Sequence, residues 1–281
     1  MAYITFHAEG RTSYGIATND GVFDLGARIG NILPDLKSLL TAQALGLASA
    51  LPAANTTDYK TGQFTYAPVL PNPAKILCVG VNYEEHRKET GRSESAYPTI
   101  FTRFADTLVG HQQPITLPPN SSHLDFEGEL AVIIGKPCFR IDESEALNHV
   151  AGYTIFNDAT LRDWQRHSHQ FTPGKNFPNT GGFGPALLTP EETGPLSGKS
   201  IETKLNGAVM QSATLDDMIF SVPRVIAYLS AFTKLAPGDV IATGTPGGVG
   251  AKREPPVWMK LGDSVDITIA GIGTLTNTIA S

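Results

Sequence analysis

The sequence predicts a mainly β protein of the α+β class, with a sandwich or rolled-barrel core and a small N-terminal α+β domain. Short strand-like runs bounded by turn residues recur along most of the chain. Only a few segments carry helical periodicity or a helix cap. The C-terminal tail SVDITIAGIGTLTNTIA alternates in the manner of antiparallel strands. A length of 281 residues, with 41% hydrophobic and 17% charged, is ample for a substantial core.

Residues 1–70 read as the accessory domain. AYITF, TSYGIAT and GVFDLG are strand-like, and Asn19-Asp20-Gly21 supplies the turn between the last two. A Leu- and Ala-rich segment from Leu36 to Leu51 reads as one amphipathic helix, and the proline-rich stretch 66–73 as the linker to the main domain, residues 71–281. That domain opens with the buried strand KILCVG. A short helix from Tyr83 to Thr90 follows, with Asn82 as its cap and Glu85 as the capping-box partner. TIFTRF, PITLP, a continuous strand Leu124–Ile134 and GYTIFND come next. Ser221–Thr233 is an apolar-periodic helix, and APGD turns the chain into the strand VIATGT.

The net charge of −6 without a basic run excludes a nucleic-acid surface and favours small-molecule partners. Cys78 and Cys138 lie in apolar runs and read as reduced core residues of a cytoplasmic protein. No apolar run approaches the roughly 20 residues of a membrane span, and the first ten residues lack the pattern of an export signal.

Chemistry concentrates in His123–Asp158. Glu127 and Glu129 are two apart on a strongly apolar strand, so they share one face, with Asp125. Paired carboxylates at the rim of a core repel each other and invite a hard cation such as Mg²⁺, Mn²⁺ or Ca²⁺. The same spacing also fits a solvated strand end. Asp158 closes a second apolar strand, and spacing alone does not bring it to the glutamates. His86 and Glu89 stand i, i+3 on the short helix, where a carboxylate can orient an imidazole as a general base; a solvated charged helix has the same pattern. Arg162, Gln165, Arg166, His167, His169 and Lys175 gather cations able to hold an anionic substrate, and the two histidines have no cysteine nearby to make a zinc site. TGTPGGVG lacks the lysine of a phosphate loop and reads as a turn whose hydroxyl and N–H groups can hold a carboxylate.

The ordered series VGVNYEEH, DFEGELAVIIGK, NDATLRDWQ, PGKNF, LNGAVMQ, LAPGDVIATGTPGGVG and LGDSVDITIAGIGTLTN closely resembles the fumarylacetoacetate hydrolase family from about residue 72 onward. The resemblance implies a distorted, rolled β-sheet core, a homodimer and one divalent metal, most often Mg²⁺. It implies Glu127, Glu129 and Asp158 as metal ligands, with Asp125 in support, and His86 and Glu89 as the water-activating pair on a segment able to close over substrate. It further assigns Lys175 to the enolate, and Gln165, Thr245, Arg162 and Tyr83 to the substrate.

The activity so implied is hydrolysis of a carbon–carbon bond in a 2,4-dioxo acid, an acylpyruvate or fumarylacetoacetate-like compound, in breakdown of aromatics or sugar acids. Oxaloacetate decarboxylation, 2-oxo-dienoate hydration and keto–enol isomerisation are the alternatives on the same scaffold. Three departures bear on the substrate. Val81 stands where some relatives carry arginine, which weakens the expectation for oxaloacetate. Arg103 replaces a frequent lysine, and the stretch RHSHQFTPGKNFPNTGGFGP is longer than the common version.

Overall fold

The computed structural model describes residues 1–51 and 56–281. The described residues form two large sheets and a separate two-stranded one, and the largest runs through both of the units expected from sequence. Its spatial order begins with 59–60, 21–24, 11–17 and 2–8, then passes to 181–188, 150–157, 128–134, 240–242, 76–80 and 99–103. The strand Ala2–Ala8 joins the two halves by pairing antiparallel with Gly181–Leu188. The second sheet has the order 208–214, 200–205, 264–269, 273–280 and 115–116.

The core follows from burial on both faces of the central strands. In Gly128–Ile134 every residue is buried. Leu130, Val132 and Ile134 pack with Ile201, Val265 and Ile267 of the second sheet. Ala131 and Ile133 pack on the opposite side with Phe156, Val240 and N-terminal residues including Tyr3 and Leu36. Such a strand needs cover on both sides, which explains its uninterrupted apolar run.

Helices are few and short. Val222–Phe232 begins where Ser221 accepts from the Arg224 N–H, and it buries Val222, Val225, Ile226 and Leu229, the spacing of one helical face. The helix expected over Leu36–Leu51 is instead two, Leu36–Thr41 and Leu45–Ala48. Gln43 between them has φ 53, a left-handed conformation that no helix can pass through. Asn82 does not cap the helix Glu84–Thr90, whose N-cap is Tyr83 without a side-chain bond. Its amide donates to the Phe220 and Thr243 carbonyls and accepts from the Phe220 N–H, at 2.7–3.0 Å. Three backbone groups thus hold the residue that the sequence suggested as a cap. Both cysteines are free and buried. Among the described residues no helix is long and apolar enough to cross a membrane.

Candidate metal centre and substrate cavity

The expected strand Leu124–Ile134 is divided. Leu124–Asp125 pairs with Thr160–Leu161, while Gly128–Ile134 pairs with Val150–Asn157. Glu127 lies in the gap, where its N–H bonds to Asn157 Oδ1 and its carbonyl accepts from the Asp158 N–H at 2.9 Å. Because Gly128 is opposite Asn157 in the register, Glu127 falls opposite Asp158. Cross-strand pairing therefore unites residues 31 apart in sequence. Ligand oxygens of Glu127, Glu129 and Asp158 lie within 4.8 Å of one another, and all three residues are buried.

Cations surround two of the three. Lys175 Nζ is 2.7 Å from Glu127 Oε2 and 2.5 Å from Asp158 Oδ2. Arg103 Nη1 donates to Asp158 Oδ1 at 2.7 Å, and Arg162 Nη2 lies 2.6 Å from Glu127 Oε1. Arg162 Nε also donates to Asp125 Oδ2 at 2.8 Å, so Asp125 fixes the guanidinium that faces Glu127. Glu129 has no cationic partner among the described residues. Its Oε2 accepts only the Gly244 N–H, at 2.8 Å.

These contacts set the charges. Burial raises the pKa of Glu127, but Lys175 and Arg162 outweigh it and hold the carboxyl at about 2. Burial pushes Glu129 well above the ordinary carboxyl value, and Asp158 and Glu127 push it further. Burial works against the Lys175 ammonium too, yet Asp158 and Glu127 keep it charged. Asp125, Glu127 and Asp158 meet three cations, while Glu129 is left without one among the described residues. A convergent set of hard oxygens, one of them on a carboxyl without a cation, fits a divalent ion of the Mg²⁺, Mn²⁺ or Ca²⁺ kind.

The His86–Glu89 pair forms as the helical spacing requires. His86 Nδ1 lies 2.7 Å from Glu89 Oε1, and Glu89 Oε2 accepts the Gly248 N–H at 2.9 Å. The glycine-rich loop serves carboxylates of the protein itself. Gly244 N–H bonds Glu129, Gly248 N–H bonds Glu89, and Gly250 N–H bonds Asp125 at 2.7 Å. Thr245 Oγ1 accepts from Gln211 and donates to the Gly128 carbonyl at 3.0 Å, so its donor is already committed.

One cavity of about 370 Å³ joins these groups; Glu127, Glu129, Asp158, Lys175, His86 and Thr245 all line it. Gln165 and Arg162 line it too, tied by an Arg162 Nη1 bond to Gln165 Oε1 at 3.0 Å. Glu89 stands behind His86 rather than on the wall. Tyr83, expected at the substrate, is a correction. It is 1% exposed, its hydroxyl has no hydrogen-bond partner among the described residues, and it does not line the cavity. Its backbone forms a bridge with Met218, which turns the ring into the core. Val81 is on the wall with φ 58, a strained conformation for a β-branched residue. The wall also holds Arg92 and Lys252, which no sequence motif had marked.

A rolled β core with a buried acidic triad opening into a small polar cavity defines a class of enzymes built around a carboxylate cation site. The sequence matches the family described as Fumarylacetoacetate (FAA) hydrolase C-terminal over residues 75–280, and the chain belongs to that family. Oxaloacetate tautomerase YisK of Bacillus subtilis (strain 168) is 44% identical over 218 residues, 76% of this chain and 72% of that protein. The structure of fumarylacetoacetate hydrolase (EaFAH) from psychrophilic Exiguobacterium antarcticum agrees with a TM-score of 0.88 at 32% identity, covering 100% of this chain and 99% of that one. Maleylpyruvate hydrolase from Sphingobium sp. SYK-6, in complex with manganese(II) and pyruvate, gives 0.82 at 27% identity over 100% and 99%. The family thus includes tautomerases and hydrolases.

Proposed function

We propose that this protein interconverts the keto and enol forms of a small 2-oxo acid by moving a proton at the carbon beside the keto group. The observation that carries the reading is the meeting of an oriented imidazole, a buried ammonium and a carboxylate triad around one cavity. Glu127, Glu129 and Asp158 would hold a divalent ion, Mg²⁺ or Mn²⁺, which when bound supplies Lewis-acid stabilisation of negative charge on the keto oxygen.

The chain's own groups account for the proton. Glu89 accepts from Nδ1–H of His86, so that in the neutral ring Nε2 is the nitrogen free to act as the base. That nitrogen takes the proton from the substrate carbon and delivers it to the enolate oxygen, which completes the enol and restores the neutral imidazole, and the same two transfers run backwards from enol to keto. Lys175 faces the negative charge that develops, and its charge is secured by Glu127 and Asp158. Similarity to YisK favours tautomerisation over bond cleavage. Hydrolysis of an acylpyruvate is the second reading, supported by the same dyad acting on water and by the hydrolases among the relatives.

The test follows the enol absorbance of oxaloacetate with metal-loaded protein, and pyruvate release from acetylpyruvate in parallel. Faster decay of the enol signal without pyruvate release supports tautomerisation; rapid pyruvate release supports the second reading. His86→Gln should lower the rate by about 10²–10⁴-fold. Full activity in that variant would remove the imidazole from the mechanism.

A further inference from the structure

Gln211 ends the motif LNGAVMQ, and nothing in the proton transfer uses it. It lies on Ala208–Thr214, the edge strand of the second sheet, and is the only buried residue of that strand. The inward position of an edge strand ordinarily takes an apolar side chain, and a buried glutamine needs partners for both ends of its amide. A β-bulge aims it. Thr203 is opposite Gln211 but Lys204 is opposite Val209, so Met210 is the extra residue, and a bulge redirects the side chains beside it. The Met210 carbonyl accepts from Arg253, which also donates to the Gly248 carbonyl at 3.1 Å, so the bulge is tied to the glycine-rich loop.

The Gln211 amide spends all its bonds on the strand and loop that build the site. Its Oε1 accepts the Gly128 N–H at 3.0 Å, and its Nε2 donates to Thr245 Oγ1 at 2.7 Å and to the Pro246 carbonyl at 2.9 Å. Thr245 Oγ1 in turn donates to the Gly128 carbonyl at 3.0 Å, which closes a ring through Gly128, Gln211 and Thr245. The ring runs in one direction. The Gly128 N–H requires an acceptor, so the amide turns its oxygen there and its NH₂ toward Thr245. Of the three partners only Thr245 lines the cavity, so Gln211 reaches a ligand through that threonine. The Glu127 and Glu129 carboxylates are held by other groups, namely Lys175, Arg162 and the Gly244 N–H. We propose that Gln211 is a positioning residue that fixes the Thr245 side chain as the wall against which the 2-oxo acid lies, and that it serves ligand binding rather than metal binding. This rests on the reading of the cavity as a 2-oxo acid site.

The test is a double-variant cycle on pyruvate affinity, read by isothermal titration of the Mn²⁺-loaded protein. Gln211→Met keeps the length and removes the amide; Thr245→Val keeps the shape and removes the hydroxyl. Each should bind pyruvate about tenfold more weakly than the wild type. In the double variant the loss should stay at about tenfold, because no hydroxyl is left for the glutamine to hold. Gln211→Leu carries the same cycle if the melting temperature shows that the methionine variant misfolds. Mn²⁺ affinity, measured without pyruvate, should equal that of the wild type throughout. A double variant in which the losses multiply to about a hundredfold would overturn the role, because a residue that merely stabilises the sheet acts independently of Thr245. So would wild-type pyruvate affinity in either single variant, or a folded Gln211 variant that no longer takes up Mn²⁺. A wild type that binds Mn²⁺ but not pyruvate removes the 2-oxo acid reading and the role with it, whereas pyruvate binding with multiplying losses removes the role alone.

Discussion

Glu129 is the side chain on which the site's electrostatics turn. It is 2% exposed, faces Asp158 and Glu127, and has one N–H donor and no cationic partner among the described residues. Removing one member of a buried ion pair usually destabilises, but this carboxylate has no pair to break. Glu129→Gln keeps the shape and removes the repulsion. Without metal it should be more stable than the wild type by about 1–3 kcal/mol, while the rise in melting temperature on adding Mn²⁺ should vanish. Thermal unfolding of chelator-treated protein, with and without Mn²⁺, reads both; a variant that melts lower and still responds to Mn²⁺ would contradict the ligand role. At this scale the sequence was informative where a local period decides the geometry. Glu127 and Glu129 share a side by the two-residue repeat of a strand, and His86 meets Glu89 by the helical repeat. Asp158 depended on cross-strand register, and Arg92 and Lys252 on loops folding to a common mouth, neither of which a local pattern encodes.

Glycines at elements of the site act as fixed backbone donors. Gly248 has φ +100, and a Cβ there would lie 2.3 Å from the Met210 carbonyl oxygen. Its N–H is the one that holds Glu89 behind His86. Gly248→Ala should therefore cost at least about 2 kcal/mol and lower turnover by releasing Glu89. Gly194→Ala is the matched control, with φ +63 but nothing within 4 Å of the added Cβ; it should cost about 1 kcal/mol and leave turnover unchanged. Melting temperatures and initial rates separate the two, and equal losses would show that the loop does not position the dyad. The same element shows the limit of pattern reading. TGTPGGVG is recognisable as a turn, but its N–H groups serve Glu129, Glu89 and Asp125, whose partners lie 115 to 159 residues away in sequence. Strand 124–134 likewise looks continuous by hydropathy. It divides because Leu124–Asp125 pairs with Thr160–Leu161 and Gly128–Ile134 with Val150–Asn157, a choice made by the partners.

On the scale of the whole molecule the question is how independent residues 1–70 are. Ala2–Ala8 completes the edge of Gly181–Leu188, and that strand pairs in turn with Val150–Asn157, which pairs with the strand bearing Glu129. Tyr3, Tyr14, Phe23, Leu25, Leu36 and Leu39 share one core cluster with Phe156, Phe183, Leu187 and Val240. A chain of residues 71–281 would leave the 181–188 edge without this partner and those four side chains without their cover. Complete burial of four such chains is worth on the order of 10 kcal/mol, and losing half of it costs about 5 kcal/mol, comparable with the whole stability of many domains. The truncated chain should therefore melt without a cooperative transition, or associate through the exposed strand edge. Circular dichroism melting and size-exclusion chromatography of both chains provide the comparison. A monomeric 71–281 fragment melting within a few degrees of the full chain would mean that the N-terminal unit is an appendage. Loss of cooperativity would mean that it is part of the scaffold on which Glu127 and Asp158 meet. In that case a destabilising change at Tyr3 or Phe23, remote from the cavity, should also weaken Mn²⁺ binding, because sheet and metal centre fold as one unit.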